Sequence, residues 1–230
     1  MQKINELLDA VEEAFLQVAN PEDAEGMKAY MRDKFEFLGL KSQLRKNTQK
    51  AFWATYKLPQ GEDLKVFIKG LWALPSRELH YMAIELLEKP LKKADDSWMD
   101  LLEYLIVTHS WWDTVDAIAA KLVGGYLKKY PKFAATYPEQ WIESEDMWLR
   151  RTAILYQLKY KKETNTERLF DFILRSAHEK EFFIQKVQGW TLRELAKTNP
   201  QIVLDFVAAH ENKLSKLTKK EALKHLIILR

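Results

Sequence analysis

Apolar residues recur at i, i+3, i+4 and i+7 through nearly the whole chain, the period of an amphipathic helix. The pattern predicts helices over 2–19, 21–38, 42–56, 61–73, 76–88, 91–107, 111–129, 131–142, 145–160, 164–176, 179–197, 200–211 and 218–229. Their starts are marked by capping residues. Asn20-Pro21-Glu22-Asp23 supplies an N-cap, a proline at N1 and acids in the first turn, and Asn199-Pro200 repeats that start. Thr218-Lys219-Lys220-Glu221 reads as a capping box, and Ser110-Trp111-Trp112-Asp113 resembles one.

A longer period lies over the helical one. Ala83, Ile118, Ala153 and Gly189 occupy the middles of four strong helices, about 35 residues apart, the length of a helix pair in a repeat protein. Each pair would bury its apolar face only by stacking on its neighbours, giving a superhelix with a long concave surface. The period alone fits an irregular helical bundle as well. No linker or low-complexity stretch interrupts the chain, which predicts one domain over 1–230.

Composition narrows the picture. Apolar residues make up 47%, enough for a sizeable core, while seven Gly and seven Pro are few for a turn-rich sheet protein. With no cysteine, disulfides, thiolate nucleophiles and cysteine-held zinc are excluded. The five histidines show no metal-ligand spacing, and HExxH, a glycine-rich phosphate loop and a nucleophile elbow are all missing from the sequence. No metal and no cofactor is therefore expected. There is no signal-like or membrane-spanning apolar run, so a cytoplasmic protein without membrane contact is expected. The net charge of +3 permits nucleic-acid binding without demanding it.

Two segments could carry chemistry. In Ser110-Trp111-Trp112-Asp113-Thr114-Val115-Asp116, Trp112 and Asp116 are i and i+4 and share a helix face, whereas Val115 and Ile118 point to the core. An aromatic plate beside a carboxylate suits a cation. The same spacing also describes a buried tryptophan with an acid near a helix N-terminus, where the dipole favours it. In the second segment Lys186, Trp190 and Arg193 form one i, i+4, i+7 stripe, suited to a phosphate backbone but equally to an ordinary amphipathic face with snorkelling cations. Gly189, inside that helix, implies close approach of another helix or of a ligand. Arg150 and Arg151 must point in different directions.

Taken together these strings resemble the AlkD type of DNA alkylation-repair glycosylase with HEAT-like repeats. The resemblance runs over almost the whole chain. Its most specific parts are Ser110-Trp111-Trp112-Asp113-x-Val115-Asp116 and Phe182-Phe183-Ile184-Gln185-Lys186-x-x-Gly189-Trp190. It implies an all-α, C-shaped HEAT-like solenoid with a concave basic face. It implies a monomer acting on double-stranded DNA that contains alkylated bases, with Asp116 as the catalytic carboxylate and Trp112 and Trp190 as aromatic walls. Arg151 would contact DNA, Lys186 and Arg193 would hold backbone phosphates, and Tyr30 would border the lesion. After Gly39 the chain departs from the family pattern, carrying Ser42-Gln43-Leu44-Arg45-Lys46 in place of Thr-Pro and basic residues; Ser42 and Lys46 would bind phosphate there. No lysine is placed for a Schiff base, so hydrolysis without strand cleavage is expected. The alternatives are a non-catalytic helical-repeat scaffold for DNA or protein, and a binder of structured RNA.

Overall fold

The computed structural model describes residues 2–226, and all of their regular structure is helical apart from an isolated bridge between Glu36 and Ser76. Packing gathers the chain into two compact units, Met1–Leu87 and Glu88–Arg230, with the boundary in an exposed turn that no linker composition marks.

The first unit holds α1 (Gln2–Leu16), α2 (Pro21–Tyr30), α3 (Ser42–Thr55), α4 (Gly61–Ala73) and α5 (Arg77–Leu87). Phe15, Leu64, Phe67, Ile68, Leu71, Trp72 and Leu79 form its core; burying a Leu or Phe fully is worth roughly 1.5–3 kcal/mol each. Asn20 caps α2 as expected, its side chain accepting from the N–H of Glu22 and Asp23. The helix expected over 21–38 nevertheless stops at Tyr30, because Arg32 and Asp33 take left-handed backbone conformations. The chain beyond is held by Glu78, a wholly buried carboxylate that accepts from the backbone N–H of Leu38, Gly39 and Leu40 at 2.9–3.1 Å. Gly39 sits there at φ +82°, where a Cβ would fall 2.0 Å from the Asn20 carbonyl oxygen. This clasp fixes the turn that enters α3, whose first residue is Ser42.

The second unit holds α6 (Met99–Val107), α7 (Trp112–Ala117), a π turn (Ile118–Val123), α8 (Gly124–Lys129), α9 (Pro131–Ile142), α10 (Met147–Leu155), α11 (Thr166–Arg175), α12 (Phe182–Ala196), α13 (Pro200–Ala209) and α14 (Lys216–Ala222). The helix expected over 91–107 gives way at its start to two short 3-10 turns, Pro90–Lys92 and Asp96–Trp98. The expected helix 111–129 is one continuous run broken in register by the π turn. Asn199 caps α13 as expected. The two expected capping boxes do not form. Ser215 caps α14, and the Ser110 hydroxyl donates to the Ile106 carbonyl while Trp111 opens α7 without a side-chain cap. Positions 227–230 of the expected helix 218–229 lie outside the described residues.

The 35-residue period appears directly in the hydrogen bonds. Asp116 meets Arg151, the Gly124 carbonyl meets the Tyr160 hydroxyl, and Glu221 meets Lys186, at separations of 35 or 36. Partners advance together along the sequence, so α7–α8, α10, α12 and α14 stack as parallel members of one layer. α9, α11 and α13 form the other layer, joined by Arg175 to Glu139 and Glu143 and by stacked Phe170 and Phe206. Ile118, Ala153 and Gly189 are buried where these helices meet, as their spacing predicts. The fold is an all-α helical repeat.

Candidate active site

A turn with His109 at φ +50° reverses the chain before α7. Trp111 and Trp112 follow on opposite sides of the helix start. Trp111 goes inward and packs on Trp148, 5.7 Å between ring centroids, and on Phe183 at 5.1 Å. Trp112 stays half-buried, one turn before Asp116.

Above the Trp111–Trp148–Phe183 cluster lies an ion pair. Arg151 donates from Nε to Asp116 Oδ1 at 2.8 Å and from Nη2 to Oδ2 at 2.9 Å. Its Nη1 donates to the Phe183 carbonyl. The two side chains differ in exposure, Arg151 at 3% and Asp116 at 16%. The guanidinium is thus the buried support and the carboxylate the part that faces outward. Burial pushes the Asp116 carboxyl above the usual range, while the Arg151 hydrogen bonds and charge pull the other way. Each carboxylate oxygen keeps room to accept again, since a carboxylate has about four lone-pair sites.

Arg151 is buried, and it directs one N–H from each of its three nitrogens at Asp116 and the Phe183 carbonyl. Arg150, its neighbour, turns away as expected and binds Glu179 and the carbonyls of Ser144 and Glu145.

Trp190 is half-buried on α12, two turns beyond Phe183, which a 1.5 Å rise per residue places roughly 10 Å further along the axis. Lys186 and Arg193 flank it and converge on one carboxylate, Glu221, at 2.6 and 2.5 Å. Gly189 makes that possible. A Cβ there would stand 2.6 Å from the Thr218 carbonyl oxygen and 2.5 Å from Glu221 Cβ, so α14 packs directly on the α12 backbone. The Thr218 hydroxyl completes the contact on Gln185 and Gln188. Lys186 and Arg193 are therefore neutralised in part by a residue of the protein itself.

Lys186, whose hydrogen bond is the largest cause, and Arg193 hold the Glu221 carboxyl below its ordinary value of 4.5. A depressed folded value means stability present above the unfolded value and lost as pH falls through the folded one. Glu221→Gln is expected to lower the urea-unfolding free energy by about 1.5–3 kcal/mol at pH 7, as for a hydrogen bond to a charged group. The gap from wild type should narrow below about pH 4. Equal stability at pH 7 would mean that the clamp contributes no more than a surface pair.

Tyr30, Ser42 and Lys46 belong to the first unit. Tyr30 ends α2 at 70% exposure, beside Met27, Phe37 and Tyr81 around a hollow of about 320 Å3. Ser42 and Lys46 are exposed on α3, whereas Arg45 is buried and paired with Glu85.

Sequence reasoning missed Trp148, Phe183 and Glu221 as builders of this region. Their signal was the repeat itself. Trp111, Trp148 and Phe183 follow one another at 37 and 35 residues, and Glu221 follows Lys186 at 35. Among the described residues no group of acids and histidines could hold a metal ion, and no helix is long and apolar enough to cross a membrane.

Fold and site define an all-helical repeat protein with an arginine-held, outward-facing carboxylate over an aromatic floor. The sequence pattern of the DNA alkylation repair enzymes matches residues 11–226, and the chain belongs to that family. It is similar to a solved protein described as a predicted DNA alkylation repair enzyme from Enterococcus faecalis, with 32% identity and a TM-score of 0.83, covering 90% of this chain and 96% of that one. No curated protein matches the chain.

Proposed function

We propose that the protein is a monofunctional DNA glycosylase that hydrolyses the N-glycosidic bond of cationic alkylated purines, of the 3-methyladenine and 7-methylguanine type, in duplex DNA. The observation that carries the reading is the Asp116–Arg151 pair: a partly open carboxylate, fixed from below through both oxygens.

A purine alkylated at N3 or N7 carries a positive charge and is already a good leaving group. The bond from its ring nitrogen to C1′ breaks with the electron pair going to the base, which leaves neutral. Positive charge then develops on the deoxyribose as an oxocarbenium ion. The Asp116 carboxylate stabilises that charge and accepts a proton from the water that bonds to C1′. Arg151 offsets part of the carboxylate field, but it keeps the group ionised and oriented in a place where burial opposes ionisation. Trp112 and Trp190 are proposed to offer their faces to the cationic nucleotide. Lys186 and Arg193 would take backbone phosphates by sharing them with Glu221. Tyr30, Ser42 and Lys46 are proposed to meet the same duplex. In this reading Arg151 positions Asp116, and its remaining N–H donors are proposed to meet the DNA. Incubation with methylated duplex, scoring free base, tests the proposal; a protein that binds such duplex and releases no base is a scaffold.

A further inference from the structure

The strongest unassigned feature of the second unit is a hollow of about 470 Å3 at the far end of the α7–α8 run from Trp112. Lys89, Lys92, Lys121, Lys128 and Lys159 line it against a single acid, Glu88. Five cations and one anion leave a surplus of four. Counting Glu163, which pairs with Lys128, the surplus is three, equal to the net charge of the entire chain. An adjoining hollow of about 280 Å3 shares Glu88, Lys92, Lys121 and Gly125 with it.

The lysines are not all engaged. Lys121 reaches Glu88 at 3.1 Å and Lys128 pairs with Glu163. Lys89, Lys92 and Lys159 are exposed and have no acidic partner among the described residues. Like charges gathered this closely repel, and clefts lined by one sign of charge concentrate counter-ions of the other. The floor is bare as well. Gly125 is exposed, and a Cβ there would meet nothing within 4 Å, so a phosphate could approach the helix backbone without obstruction. Capping of the α8 dipole accounts for Lys128 at that helix end, but not for Lys89, Lys92 and Lys159 on other segments.

We infer that this lysine basin is a phosphate-binding site for the backbone of duplex DNA, separate from the Asp116 pair and from the Lys186–Arg193 stripe. The occupant follows from charge and from distance. Lys128 lies twelve residues beyond Asp116 on one helical run, roughly 18 Å along its axis. That axial distance is about five nucleotides of a duplex strand. The inference deepens the proposed function and rests on it for the identity of the anion. Undamaged duplex is the probe, so failure here leaves base release standing and the reverse also holds.

The test is a salt titration of binding to an undamaged duplex oligonucleotide by the full chain and by a Lys89→Gln, Lys92→Gln, Lys159→Gln variant. Both existing ion pairs remain in that variant. Each neutralised phosphate contributes about 0.9 to the slope of log K against log salt. The variant should lose about 2–3 from the slope and bind roughly 10–100-fold more weakly near 0.15 M salt. Gly125→Asp, which places a carboxylate on the open floor, should weaken binding in the same direction, and Gly125→Ala should not. These single-site variants carry the test should the triple variant fold poorly. Unchanged slope and affinity in both charge-altering variants would overturn the inference. So would unchanged duplex affinity with lost binding of inorganic triphosphate or of phosphatidylserine vesicles, which would assign the basin to a free polyphosphate or a lipid surface.

Discussion

Asp116→Asn is expected to bind duplex DNA nearly as wild type and to release 7-methylguanine about 10²–10³ times more slowly, the usual effect of removing one well-placed electrostatic stabiliser. The amide keeps the shape of the carboxylate but carries no charge for an oxocarbenium ion and accepts no proton from water. The loss should be smaller for 3-methyladenine, whose better leaving group needs less help. Single-turnover kinetics are needed, so that slow product release does not hide the chemical step. Because burial raises the Asp116 carboxyl above 3.8, the acid limb of the wild-type excision profile should fall at a higher pH than an ordinary aspartate would give. Wild-type rates on both lesions in the asparagine variant would remove Asp116 from the chemistry.

Removing the support should cost stability as well as rate. Arg151→Ala leaves Asp116 desolvated with no cation beside it, a loss of about 3–5 kcal/mol for a broken buried pair. It also frees the Phe183 carbonyl, which ties α10 to α12. The guanidinium lowers the Asp116 value, so its removal must raise it further. A positioning role therefore predicts two linked changes, a lower urea midpoint and an excision profile whose acid limb moves to higher pH. Arg151→Lys keeps a cation and loses the two-pronged geometry; it should recover part of the stability and part of the shift. A purely structural arginine would change the midpoint in both variants and leave the profile where it was.

Local signals in the sequence set some elements, and distant contacts set others. α4 (Gly61–Ala73) and α9 (Pro131–Ile142) match the expected spans, because apolar periodicity and local breakers define them. α2 runs shorter than its periodicity predicts because Arg32 and Asp33 turn into left-handed backbone, and Glu78, forty residues away from Leu38, holds the chain beyond. The same holds at the site. Trp112 and Asp116 were legible as neighbours from i, i+4 spacing alone. The place of Arg151 under Asp116 was not, since one helical repeat separates them and a surface arginine looks the same in sequence as a buried one. Glu221 read as half of a local capping box, whereas its carboxylate serves two cations on α12.

Free base released from methylated duplex is the most direct measure of the central claim. Duplex carrying 7-methylguanine or 3-methyladenine is incubated with excess protein, and released base and strand integrity are read from the same sample. The expected result is stoichiometric base release, an intact strand bearing an abasic site until alkali is added, and no release of unmodified guanine or adenine on that time scale. Tight binding of the methylated duplex with no base released would contradict it and leave the helical repeat as a DNA-binding scaffold.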